Sequence, residues 1–196
     1  MNILRGSEQL NGGYSNMKNA TFMLEQDHRI IEKALGAMTV ALDKLKTGRT
    51  VDKDALESIS GFMSSFADKC HHGKEEGYLF PILEKQGVPA QGCPLGILIA
   101  EHKKGRTLVA ELSVSAQAFA GGDSSAKAGL IKSLQGILEL YPGHIWKEDF
   151  LLFPMADKIL NPEQQKELET GFEKVENQFG AEAHSCLEKL TASINP

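Results

Sequence analysis

The sequence predicts an all-α protein: an up-down-up-down four-helix bundle with an additional C-terminal helix. Three observations lead there. Apolar residues recur with the spacing of one helix face along most of the chain, and no convincing strand pattern interrupts them. Two eleven-residue stretches, His71-His-Gly-Lys-Glu75-Glu76-Gly-Tyr-Leu-Phe-Pro81 and His144-Ile-Trp-Lys-Glu148-Asp149-Phe-Leu-Leu-Phe-Pro154, are near copies. The turn residues Gly48 and Gly121 stand 73 apart, the same offset as the two stretches, so two helix-turn-helix units follow one another. A single repetition does not imply a solenoid, and two such units make a four-helix bundle.

Residues 1–19, with Asn11-Gly12-Gly13, read as a flexible N-terminal segment. From about Ala20 the run Leu24, Ile31, Leu35, Met38, Leu42 and Leu45 keeps a helical period that stops at Thr47-Gly48. A second helix starts near Asp52 and carries Leu56, Ile59, Met63 and Phe66 toward His71 and Glu75, with Pro81 disturbing its end. Two Gly and two Pro between Gln86 and Gly96 mark a loop. The third helix runs from about Leu95 to Phe119 and turns at Gly121-Gly122-Asp123. The fourth, Ser124 to about Leu160, is expected to be interrupted and kinked at Pro142-Gly143, turning Tyr141 toward the face of His144. Asn161-Pro162-Glu163 is a helix start, Asn as the cap and Pro at the first helical position. The bundle thus occupies 20–160 and an appended helix 161–196.

Composition is that of a soluble globular domain, with 41% hydrophobic and 24% charged residues. A net charge of −5 without a Lys/Arg cluster gives no support to nucleic-acid binding, and no nucleic-acid partner is expected. No apolar run is long enough to cross a bilayer, and Met1 to Met17 lacks the apolar stretch of a signal peptide. Three cysteines without a Cys-x-x-Cys pair argue against a disulfide framework or a zinc knuckle, and a reducing cytoplasm is the expected location.

Each copied stretch puts a His and a Glu four residues apart, on one face of a helix. His28 and His102 hold equivalent places on the preceding helices, 43 and 42 residues ahead of His71 and His144. The candidate ligands are therefore His28, His71, Glu75, His102, His144 and Glu148. A lone His is usually an ordinary surface or core residue, and a lone His-x-x-x-Glu pair is often a surface contact. Two pairs in a common frame, each with its partner His, point to a metal. Six donors would saturate one octahedral ion. Shared between two ions with both carboxylates bridging, they leave positions open, and imidazole with carboxylate suits iron while tolerating Mn or Zn.

The repeat also separates bystanders. His72 aligns with Ile145 and is left outside the ligand set, behind a ligand or at the surface. Glu76 and Asp149 sit about 100° around the helix from their Glu neighbours and are expected to be solvated or hydrogen-bonded to ligands. His184 reads as surface, Trp146 as packing, and the Leu-Phe-Pro triplets as core and helix termination.

At His28, at the first copied stretch with His71 and Glu75, at Pro94–His102, and at the second stretch with His144 and Glu148, the chain resembles the haemerythrin-like, HHE cation-binding family over about 20–160. The resemblance implies a four-helix bundle around a non-haem di-iron centre, two iron ions held by those six residues. Members bind O2, respond to NO or iron, or help repair iron–sulfur clusters. Oxygen carriers bear a further His four residues after the third-helix ligand, where this chain has Arg106. That departure argues against simple O2 carriage, implies a more open iron, and looks more like the four-His, two-Glu set of the cluster-repair relatives. Those relatives add an N-terminal cysteine-containing domain, and residues 1–20 contain no Cys.

Two classes of function follow. In one the protein binds or senses O2, NO or iron. In the other it is a redox enzyme that reduces peroxide or NO, with a redox partner protein. A ferritin-like carboxylate-rich oxidase expects Glu-x-x-His twice, and only Glu25-x-x-His28 fits.

Overall fold

Five helical rods build the protein in the computed structural model, which describes residues 19–194. Helix α1 is Thr21–Lys46. Helix α2 is continuous over 53–85, helix α3 is Leu95–Ala120, helix α4 is continuous over 127–159, and helix α5 is Pro162–Ile194. Among the described residues there is no strand, and no helix is long and apolar enough to cross a membrane. The first nineteen residues assigned to a flexible segment lie outside the described part except for Asn19.

Local chemistry sets the ends of these rods. Asp52 caps α2 by accepting from the Asp54 amide at 3.0 Å. Gly48 and Gly122 close the two turns with φ of 71° and 98°, a region costly for residues with a Cβ. Asn161 caps α5: its side chain accepts from the Gln164 amide at 2.9 Å, and the Gln164 side chain accepts from the Asn161 amide at 3.0 Å.

The expected interruption at Pro142 does not occur. Helix α4 runs unbroken as α-helix from Lys127 to Lys147, with Pro142 and Gly143 on its exposed side. Tyr141, His144 and Ile145 are buried around the proline and hold the rod in place, so packing overrides a single lost backbone hydrogen bond.

Irregularity comes instead around the ligand pairs: on α2 the stretch Met63–His72, which carries His71 and His72, is π-helical, and on both helices a π-turn begins at the glutamate. Glu75–Leu79 and Glu148–Leu152 are π-helical, the Phe80 amide bonding the Glu75 carbonyl and the Phe153 amide that of Glu148. In an α-turn, Pro81 and Pro154 would clash with the carbonyl four residues back. The wider turn ahead of each relieves that clash and lets each helix continue beyond its proline. It also turns consecutive residues inward, so that Leu79 with Phe80 and Leu152 with Phe153 are all buried.

The apolar residues collect into two clusters. One gathers Ile31, Met38, Phe62, Met63, Leu112 and Leu134 with Tyr141, and the other Leu24, Leu79, Phe80, Leu98, Leu152 and Phe153. The Leu-Phe pairs are thus core, as expected. A buried polar layer containing His28, His71, Glu75, His102, His144 and Glu148 belongs to neither cluster. Helix α5 lies along the outside of α2 and gives Leu168 and Phe172 to one cluster, Val175 and Ala183 to the other.

Candidate metal centre

Each helix of the bundle delivers its part of this layer from one face. On α2 and α4 the four-residue spacing turns His71 with Glu75, and His144 with Glu148, to the bundle axis, while α1 and α3 contribute His28 and His102. All six are buried, both glutamates fully. Glu148 Oε2 lies 3.1 Å from His28 Nε2 and 3.3 Å from His144 Nε2, and its Oε1 3.6 Å from His102 Nε2. Glu75 Oε2 lies 3.4 Å from His102 Nε2 and 3.8 Å from His71 Nε2. The Nε2 atoms of His28 and His71 are 3.0 Å apart.

A seventh residue joins them. His72, left outside the ligand set by the repeat, is not at the surface. It is buried, its ring stacks on His102 at 3.8 Å between centroids, and its Nε2 faces inward without a hydrogen-bond partner. The potential ligands fall into two groups whose donor atoms lie within 4.8 Å of one another: His28, His71, Glu75 and Glu148, and His72, His102 and His144.

The outward nitrogens are as ordered as the inward ones. Every one of the five imidazoles has a carboxylate at Nδ1: Asp149 on His28 (2.6 Å), Asp27 on His71 (3.3 Å), Asp68 on His72 (3.4 Å), Glu76 on His102 (2.6 Å) and Glu101 on His144 (3.0 Å). Each carboxylate is backed by a cation. Arg29 holds Asp149, Lys74 holds Asp27, Lys147 holds Glu101, and Arg106 spans Asp68 (2.7 Å) and Glu76 (2.9 Å). A carboxylate on the far nitrogen fixes both ring orientation and tautomer, the arrangement found behind metal-ligating histidines. Glu76 and Asp149 thus bond the ring nitrogens of candidate ligands, as the sequence suggested. Asp27, Asp68 and Glu101 were missed.

The charge in this layer shifts proton affinities strongly. Burial works against a charged His28, but Asp149, Glu148 and Glu75 outweigh it and lift its pKa to about 10. For His102, burial is likewise outweighed by Glu148, Glu75 and Glu76, and the value rises to about 11. Burial and the neighbouring imidazoles His102, His71 and His144 push His72 well down, so it is neutral. Glu148 stays ionised, because His144, His102 and His28 overcome the desolvation that would protonate it.

Other candidates fall outside. Tyr141 packs in the core, centroid 6.1 Å from His144 and 6.3 Å from His72. A Cβ added at Gly105 would meet its phenol oxygen at 3.2 Å, and burial raises the phenol's pKa and keeps it protonated. Burial pushes the Cys70 thiol up to about 12, which leaves no thiolate near His71. Trp146 is exposed rather than packed in the core and faces Phe150 at 5.8 Å. The side chain of His184 lies outside the described part. Arg106 points to the carboxylates behind His72 and His102.

Comparison with known proteins agrees with this geometry. The family model described as hemerythrin HHE cation binding domain matches residues 19–156. Uncharacterized proteins of Mycobacterium bovis and Mycobacterium tuberculosis are 22% identical over 169 residues, 85% of this chain. The chain spans about 66% of the length of those relatives. No solved structure matches significantly.

Proposed function

The chain belongs to the hemerythrin HHE cation-binding family, and on that premise we propose that its bundle holds two iron ions in one centre and there binds a small neutral molecule, O2 or NO. One observation carries this reading. Both oxygens of Glu75 and of Glu148, with Nε2 of His72, His102 and His144, are buried and have no hydrogen-bond partner. Buried polar atoms are nearly always paired, and seven facing one another are explained together by cations among them.

In this reading His72, His102 and His144 hold one ion, His28 and His71 the other, and Glu75 and Glu148 are shared between them. Imidazole and carboxylate without thiolate suit iron. Iron bound there supplies redox-active coordination positions for a diatomic ligand. The donor count puts the less saturated ion at His28 and His71, since His72 fills the place for which Arg106 offers no imidazole. The His28 ring stacks on Phe153 at 5.5 Å, with Leu24 and Ile31 buried one turn to either side. Such an apolar wall favours an uncharged diatomic over an oxyanion, whose charge would be poorly solvated. Every acid behind an imidazole is tied to a ring nitrogen and a cation, so none is free to shuttle protons, which favours binding over turnover.

Anaerobically purified protein should contain about two iron per chain, with absorption changes on adding NO. One metal per chain at saturation, or zinc held by cysteine, would overturn the reading. Multiple turnover of NO or peroxide would make the protein an enzyme instead.

Protons report on the same centre. With pKa values raised to about 10 and 11, His28 and His102 are charged at neutral pH in the metal-free protein. Their ion pairs stabilise the fold fully below the ordinary imidazole value of 6.5 and are lost as pH rises through about 10 to 11. Metal must displace both protons. Calorimetry in two buffers of different ionisation enthalpy should therefore show proton release, and affinity should climb with pH across the neutral range. Uptake without proton release would contradict the assignment of both imidazoles.

A further inference from the structure

The two copied stretches are not equivalent on their outer sides. Where the second bears Trp146, Phe150 and Leu151, all exposed, the first bears Gly73, Gly77 and Tyr78, and α5 packs against it. A Cβ added to Gly171 of α5 would meet Tyr78 Cδ1 at 2.2 Å, and one added to Gly73 would meet Val175 Cγ1 at 3.6 Å. The aligned lysines, Lys74 and Lys147, do the same job one step behind an imidazole. Lys147 Nζ bonds Glu101 at 2.7 Å and Lys74 Nζ bonds Asp27 at 2.9 Å, and these acids hold His144 and His71.

Their surroundings differ. Lys147 is 29% exposed, and its remaining bond is to its own helix, at the Gly143 carbonyl. Lys74 is 1% exposed and donates to Glu176 of α5. A buried ammonium needs more than one acceptor to offset its desolvation, and half of what Lys74 has comes from a helix beyond residue 156, where the family match ends.

We propose that Glu176 is a positioning residue for the metal centre: through Lys74 and Asp27 it fixes the His71 ring, so that docking of α5 and metal binding strengthen each other. The coupling is reciprocal by linkage. Whatever free energy docked α5 adds to metal affinity, bound metal returns to the docking of α5. The proposal rests on the reading of the layer as a metal centre, and the test separates the two.

Cobalt(II), added anaerobically to the full chain, serves as the probe. Wild type should take up two ions, and loading should slow amide exchange in α5 around Glu176. Glu176→Leu should weaken one of the two ions roughly tenfold to hundredfold, the usual loss when a partner behind a metal ligand is removed, and abolish the metal-dependent protection of α5. Glu176→Gln, whose amide oxygen still accepts from Lys74, should recover most of the affinity. Glu182→Gln is the control, because the exposed Lys69–Glu182 pair (3.1 Å) joins the same two helices without leading to the centre, and it should change neither readout. In metal-free protein the ring 15N resonances of His71 should move in Glu176→Leu and stay in Glu182→Gln, an effect that mere loosening of α5 would not single out. Wild-type cobalt affinity in a folded Glu176→Leu, or equal losses in Glu176→Leu and Glu182→Gln, overturns the proposal alone. Failure of wild type to bind cobalt overturns it together with the metal-centre reading.

Discussion

Glu148→Ala should yield a folded protein that retains neither metal. The carboxylate lies within 3.6 Å of Nε2 of His28, His102 and His144, imidazoles that belong to both groups of donors. If two ions share it as proposed, its loss takes an oxygen from each at once. It also removes a negative charge that the surrounding imidazoles need in order to share one buried space. Glu75→Ala should behave alike, since Glu75 Oε2 also faces both groups. By contrast, Glu76→Ala and Asp149→Ala remove only a partner behind a ring and should cost roughly tenfold to hundredfold in affinity. Metal content after dialysis, with a cobalt titration, separates the two classes. A Glu148→Ala protein that still holds one ion at wild-type affinity would show that the carboxylate serves a single metal.

The second large effect belongs to His72. His72→Ala should lower the stoichiometry toward one ion per chain, losing the ion shared with His102 and His144 while His28 and His71 keep theirs. The loss should exceed the roughly tenfold to hundredfold expected for Asp68→Ala, which only frees the His72 ring. His71→Ala should do the reverse and empty the other position. Metal counting alone cannot tell these variants apart, but NO binding can, since the proposed reading puts the small ligand at the ion of His28 and His71. Two tightly held ions in His72→Ala would return His72 to the bystander role that the repeat suggested.

His72 shows why the sequence could be read only so far. The repeat named His28, His71, Glu75, His102, His144 and Glu148, and the structure brings all six into one layer. The same logic set His72 aside because its counterpart is Ile145, and it gave no signal for Asp68, whose counterpart is Tyr141. A rule of twofold correspondence cannot find the pair that breaks it. Asp27 and Glu101 were within reach, since each precedes the lone His of its unit. Each holds not its neighbour but the His of the following copied stretch, a crossing that only packing reveals. Pro142 misled in the other direction, since its local preference yields to three buried neighbours on one rod. The turns, the caps and the apolar faces were legible, because they depend on residues close together in the chain.

The π-turns give the two copied stretches a fixed phase. A turn closed five residues on carries about one residue more than an α-turn. The glutamate at its start looks into the polar layer, and the Leu-Phe pair at its end looks into the apolar cluster beyond. An α-helix turns about 100° per residue, so deleting one residue between Glu75 and Leu79 would swing everything beyond it by more than a quarter of a circle. Either the ligand or the anchor would then face outward. The stretch between them is therefore a gauge of set length, open to change of side chain at Gly77 or Phe150 and closed to insertion or deletion.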